Sequence, residues 1–115
     1  MINFGIDFKI VVDERFAKFN IVGRCVERLR EYFSQKLYIG EPIYITRLFG
    51  ILSKVEGVAD VKKVDVYQKF GGSYSPIRMN FDEIKSKDGS YLKAPKNVIM
   101  ELKFPQRDIK GTLLR

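Results

Sequence analysis

The chain has 115 residues, of which 45% are hydrophobic and 13% aromatic, and it carries a formal net charge of +7. That is the length and apolar content of one folded domain, and it excludes a disordered chain. A single cysteine, Cys25, excludes an internal disulfide framework, and without an apolar run of about 18 residues no helix spans a membrane.

The opening "MINFGIDFK" has no apolar core of the signal-peptide kind. Within it and just beyond, Ile6, Phe8, Ile10 and Val12 alternate with Asp7 and Lys9. This period of two predicts a strand over 6–12 with one face on a core. After "DERFAKF", Asn20 is a good helix cap. Ile21, Val22, Cys25, Val26, Leu29, Tyr32 and Phe33 then recur at helical spacing, opposite Arg24, Glu27, Arg28, Arg30 and Glu31. They predict an amphipathic helix ending near residues 34–36.

Gly40-Glu41-Pro42 signals a turn, and Ile43-Tyr44-Ile45 leaves room only for a short extended segment. Thr46 is the expected cap of a second, short helix whose buried face is Leu48, Ile51, Leu52 and Val55. Gly57 stands where a left-handed residue would end it. The next strand begins at Val58, but Val61 has the opposite parity to Val64, Val66 and Gln68. A bulge at Lys62-Lys63 reconciles the two. From Gly71 to Pro95 the pattern weakens. "GGSYSP" reads as a loop, "IRMNF" as a short strand, and Asp88-Gly89 as a tight turn. A last strand is expected over "NVIMELKF", where Val98, Met100, Leu102 and Phe104 alternate, and Pro105 ends it. The tail "QRDIKGTLLR" has no clear period. Together the elements predict one α+β domain, a two-layer sandwich. Its small mixed or antiparallel sheet carries two helices on one face, in the order β-α-α-β-(β)-β.

The residues offer little chemistry. Histidine is absent, which removes the commonest base and metal ligand. Cys25 lies on the apolar stripe of its helix and reads as a small core residue rather than a nucleophile. Asp60 and Asp65 would face opposite ways on a regular strand, and Asp82-Glu83 reads as solvated charge. "GGSYS" lacks the lysine and hydroxyl residue of a phosphate loop. No catalytic, cofactor-binding or metal-binding residue is expected, and no small-molecule ligand. The positive charge could serve a nucleic acid, but the cations are spread along the chain beside acids, as in "DERFAK", "ERLRE" and "DEIKSKD". Scattered charge argues against that partner.

What remains is surface for protein contact. Tyr74, Met79, Phe81 and Tyr91 sit outside the strongly periodic elements and belong to residue types enriched at interface cores. Ile109 and Lys110 in the tail join them as contact candidates. A free edge strand would be a second docking site by strand addition.

One longer pattern is more specific. "VERLREYF", then "YIGEPIYITRLFGILSKVEGVADVKKVDV", then "APKNVIMELKFPQRDIKG" resembles the C-terminal domain of baseplate wedge proteins of contractile-tailed bacteriophages, the baseplate J-like group. The likeness rests on a helix followed by Ile39-Gly40-Glu41, a short helix from Leu48 to Val55, and a strand entry through Val55, Gly57, Val58 and Val61. "FPQRDIKG" is similar to the closing segment of the large subunit of the inner baseplate ring. The likeness covers most of the chain. Since such subunits are far longer, it implies that residues 1–115 are either the C-terminal assembly domain of a longer wedge subunit or a short subunit of a divergent phage. It further implies a non-enzymatic, structural role in the virion tail baseplate, assembled in the host bacterial cytoplasm. The implied partners are the chain itself, as a homodimer or ring, and neighbouring wedge and sheath-initiator proteins.

Overall fold

The computed structural model describes residues 2–16, 19–34, 37, 40–95 and 97–114. Its organising element is one long strand, β1 (Ile2–Val12), at the centre of a four-stranded mixed sheet. Ile2, Phe4, Ile6, Phe8 and Ile10 all turn to one side and are buried. The predicted alternation over 6–12 therefore holds and extends to the first described residue.

On that side two helices cover the sheet. The first, α1 (Ile21–Tyr32), follows a short 3-10 turn at Glu14–Phe16 and starts where expected, with the Asn20 side chain accepting from the Gly23 amide at 2.9 Å. Ile21, Cys25 and Leu29 are its buried stripe. Gln35, Lys36 and Ile39 lie outside the described residues, and so do the last positions of the expected helix and the start of the Ile39-Gly40-Glu41 turn. The second, α2 (Ile45–Ser53), follows a two-residue strand, β2 (Ile43–Tyr44), and buries Ile45, Leu48 and Leu52, with Val55 just beyond its end. Its cap is Tyr44 rather than Thr46, two residues earlier than predicted, and no side chain bonds there. Ile45 explains the shift. It belongs to the core as well as Leu48, so the helix has to begin early enough to point both inward.

Gly57 does adopt the left-handed region, at φ +98°, three residues past the helix cap Lys54. A Cβ there would meet Ile21 Cδ1 at 2.8 Å and Phe16 at 3.0 Å, so both backbone conformation and packing call for glycine. The chain then enters β3 (Val58–Lys69), antiparallel to β1. Lys9 pairs with Lys63 and Ile10 with Val61, which leaves Lys62 as the extra residue. This is the expected bulge, and it brings Val61 round to pack with Val64 and Val66 against the core. The same bulge turns Asp60, opposite Val11, to the side that carries Asp65, opposite Asp7. The two carboxylates that a regular strand would separate thus share a face, and Asp60 is taken up by Lys62 at 2.8 Å.

The second half departs further from the pattern. "IRMNF" forms no strand; Phe81 instead opens a single helical turn, α3 (Phe81–Ile84), capped by Asn80, whose side chain accepts from the Asp82 amide. The Asp88-Gly89 turn is present, with Gly89 at φ +75°. It leads into β4 (Tyr91–Leu92), which pairs with β2 in a separate two-stranded sheet. The expected strand over "NVIMELKF" shrinks to β5 (Met100–Glu101), parallel to β1 at Ile2 and Asn3. Pro105 does not simply stop the chain but fills the first position of a helical turn, α4 (Pro105–Asp108), where a missing N–H costs nothing. The tail then forms β6 (Ile109–Leu114), parallel to β1 along Ile6 to Val11. β5 and β6 thus share one edge of β1, end to end, with α4 between them, while β3 holds the other edge.

The outcome is a two-layer α+β sandwich with α1 over β6 and α2 over β3. No helix among the described residues is long and apolar enough to cross a membrane. Cys25 is fully buried, and that burial pushes its thiol up to about 11. We expect a disulfide-exchange reagent at pH 8 to modify Cys25 only as fast as the domain opens, and stoichiometrically in denaturant. Prompt labelling of the folded chain would contradict the packing of α1.

Candidate interaction surface

The face of the sheet away from α1 and α2 is divided in two. At its Ile2 end β1 is buried on both sides, Asn3 being only 2% exposed. From Asp7 onward this face is open: Asp7 and Lys9 are exposed and Val11 is half-buried. The cover at the buried end is the first part of the loop of residues 70–80, around Tyr74 and Ser75, together with α4, held by polar side chains of the strands. The Ser75 amide donates to Asn3 Oδ1 at 2.7 Å, while Asn3 Nδ2 donates to Glu101 Oε1 at 2.8 Å. Gln68 lies opposite Phe4, on the helix side of β3, and holds the later part of the same loop there: its Oε1 accepts from the Met79 amide at 2.8 Å and its Nε2 donates to the Ile77 carbonyl.

At the centre of this cover lies Asp108, a carboxylate 1% exposed. The Tyr74 hydroxyl donates to it, at 2.8 and 3.0 Å from its two oxygens, and Lys69 Nζ stands 3.6 Å away. Arg107 Nη2 donates in turn to the Tyr74 oxygen at 2.9 Å. Burying a carboxylate is tolerable only with such partners. Its charge reaches Tyr67 as well. Burial first, and then the carboxylates of Asp7 and Asp108, hold that phenol above its ordinary value.

Around the cluster cations lie on aromatic rings. The Arg107 guanidinium sits 4.2 Å from the Phe104 centroid and 5.4 Å from that of Tyr74, and Lys69 sits 5.3 Å from Tyr74. Next to them a cleft of about 450 Å³ runs between the end of α1 and β5. Phe4, Phe33, Met100 and Leu102 give it apolar walls, and Arg30 and Lys103 stand at its edge. A second hollow of about 370 Å³ shares Arg30, Lys103 and Pro105 and adds Arg107. Arg30 is bridged to Glu27 along the helix, and Lys103 donates to the Ser73 carbonyl. Chemically the region offers apolar walls, aromatic rings and three cations. Among the described residues no group of three His, Cys, Asp or Glu stands close enough to hold a metal.

Of the contact candidates read from sequence, Tyr74 lies in this region, but its hydroxyl is committed to Asp108. Met79 and Phe81 are half-buried and pack against the core. Tyr91 is exposed on the far two-stranded sheet, its ring 6.0 Å from that of Tyr44, which Arg47 covers at 4.5 Å. Ile109 is only 3% exposed and belongs to the core, since it pairs with Ile6; in this fold no partner can reach it. Its neighbour Lys110 points the other way and is exposed. The candidates therefore do not form one patch. Asp108, Arg107, Phe104 and Lys103 were passed over in the sequence. "FPQRD" held the one available signal, a proline that can start a helical turn as readily as it ends a strand.

No family model matches the chain, and neither does any curated protein.

Proposed function

We propose that this chain is a structural assembly domain that works by protein–protein contact, in the tail baseplate of a contractile-tailed bacteriophage. The resemblance of "YIGEPIYITRLFGILSKVEGVADVKKVDV" and "FPQRDIKG" to wedge subunits supplies the setting. The observation that carries the contact role is the trough beside α4, where apolar walls meet Arg30, Lys103 and Arg107 around Phe104. Aromatic, Met and Arg side chains around an apolar hollow are the composition of an interface core. A neighbouring wedge or sheath-initiator protein is the partner this reading assigns to the trough.

A second reading, a basic nucleic-acid-binding module, draws on the same cation–aromatic stacks, since bases stack on such rings. Here, however, the cations themselves cover the rings of Phe104 and Tyr74. One experiment separates the two. The chain is run in size-exclusion chromatography with purified wedge and sheath-initiator proteins, and separately titrated with generic duplex DNA at rising salt. Co-elution with a wedge protein that is lost in Lys103→Glu/Arg107→Glu sustains the assembly reading. DNA affinity that falls steeply with salt, with no protein co-elution, replaces it.

A further inference from the structure

The register of β1 with its two neighbours writes two rows of charge across the part of the sheet left uncovered. Asp65, Asp7 and Lys110 form one row; Lys63, Lys9 and Thr112 form the next. All six turn away from the core, because Ile6, Phe8 and Ile10 between them are buried. Asp65 is half-buried and the other five are exposed. Within each row, like charges stand directly opposite one another: Asp7 against Asp65, Lys9 against Lys63. Such pairs destabilise an antiparallel ladder. Among the described residues none of the five charged side chains has an ion-pair partner within 4.0 Å.

We infer that this face is a self-complementary interface, by which two copies of the chain stack about a twofold axis running along the rows at the level of Phe8. The inference rests on the assembly reading above and names the surface for its homotypic part. A rotation of 180° about that axis reverses the strand direction and keeps the order across the sheet. The acid row of one copy then lies over the basic row of the other. Asp7 meets the second copy's Lys9 and Asp65 meets its Lys63, and the two reciprocal pairs follow from the symmetry. Face-to-face sheets are about 10 Å apart, a gap that a lysine and an aspartate side chain bridge together. Val11 of one copy descends on the other's Gly5, across which the Tyr67 ring lies, so an apolar contact closes each end. The like-charge pairs that cost stability in one copy become the specificity of two. A polyanion is a poorer occupant, since it would meet the Asp7–Asp65 row as readily as the lysines.

The test uses sedimentation velocity on three chains: the unaltered one, Asp7→Lys/Asp65→Lys with two basic rows, and Lys9→Asp/Lys63→Asp with two acidic rows. Circular dichroism and thermal unfolding establish that each folds. The unaltered chain should dimerise, with a Kd that rises with salt. Each variant alone should dimerise at least about tenfold more weakly, and an equimolar mixture of the two should recover the dimer. If the unaltered chain stays monomeric at millimolar concentration, or if folded variants dimerise as it does, or if the mixture does not recover, the interface is refuted. None of these outcomes touches co-elution with a wedge protein, so the broader assembly reading stands or falls separately.

Discussion

Replacing Gly111 by alanine should destabilise the domain by about 2 kcal/mol, and by valine by about 3 kcal/mol, although both changes favour a strand on local grounds. Gly111 sits in β6 opposite Phe8. A Cβ there would lie 2.3 and 2.4 Å from two carbons of the Phe8 ring and 2.9 Å from Val22 Cγ1. Two effects compete. Alanine narrows the unfolded ensemble, which stabilises by roughly 0.4–1 kcal/mol, and valine adds strand preference of up to about 1 kcal/mol. Against them stands overpacking, which costs about 1–3 kcal/mol when a tightly packed core must shift. Phe8 is 1% exposed and closed in by α1, so the ring has nowhere to go and overpacking wins. Thermal unfolding should show Gly111→Ala melting roughly 6–10 °C lower. In Gly111→Ala/Phe8→Leu the two losses should sum to clearly less than their separate values, because each relieves the other. A Gly111→Ala chain as stable as the original would mean that β6 does not lie on Phe8.

The same glycine explains why β6 could not be read in advance. Its core-facing positions are Ile109, Gly111 and Leu113. The middle one has no side chain because Phe8 fills the space from the neighbouring strand, and Leu113 is 52% exposed at the frayed edge. The tail therefore lost its period of two through a contact with a residue some hundred positions away. "NVIMELKF" fails in the opposite sense. It alternates over its full length, yet only Met100 and Glu101 find a strand to pair with, since α4 has to lift the chain before β6 rejoins β1. Periodicity reports which side chains are buried, and hydrogen-bonded length is decided by the partner. Where the signal was local it held. The Val61 against Val64 parity change marked the bulge at Lys62, and Asn20 marked the start of α1.

The surface follows the same division. Tyr74 stood out as an aromatic in a glycine-rich loop, but its partner Asp108 is 34 residues further on, in a tail with no clear period. The charge rows were equally hidden. Asp7 and Lys9 look like the polar half of an ordinary alternating strand until β3 supplies Asp65 and Lys63 opposite them.

The Asp108 cluster yields the second large effect, and its two halves should behave unequally. Lys69→Met removes the cation and leaves the carboxylate in place, with Tyr74 as its remaining donor. Breaking a buried pair so that one charge stays buried alone costs about 3–5 kcal/mol. At 3.6 Å the ammonium is not in hydrogen-bond contact and its side chain is 29% exposed, which places the loss near 3 kcal/mol. Asp108→Asn is the cheaper half. It keeps an oxygen for the Tyr74 hydroxyl and frees Lys69, which reaches water with a small change of rotamer. That change should cost about 1 kcal/mol, the scale of a single hydrogen bond made less well. The distinguishing result is the double variant: once the buried charge is gone, losing Lys69 costs little, so Lys69→Met/Asp108→Asn should be more stable than Lys69→Met alone. Urea unfolding of the four chains measures the coupling directly. Strictly additive losses would show that Asp108 is not a charge held in place by Lys69.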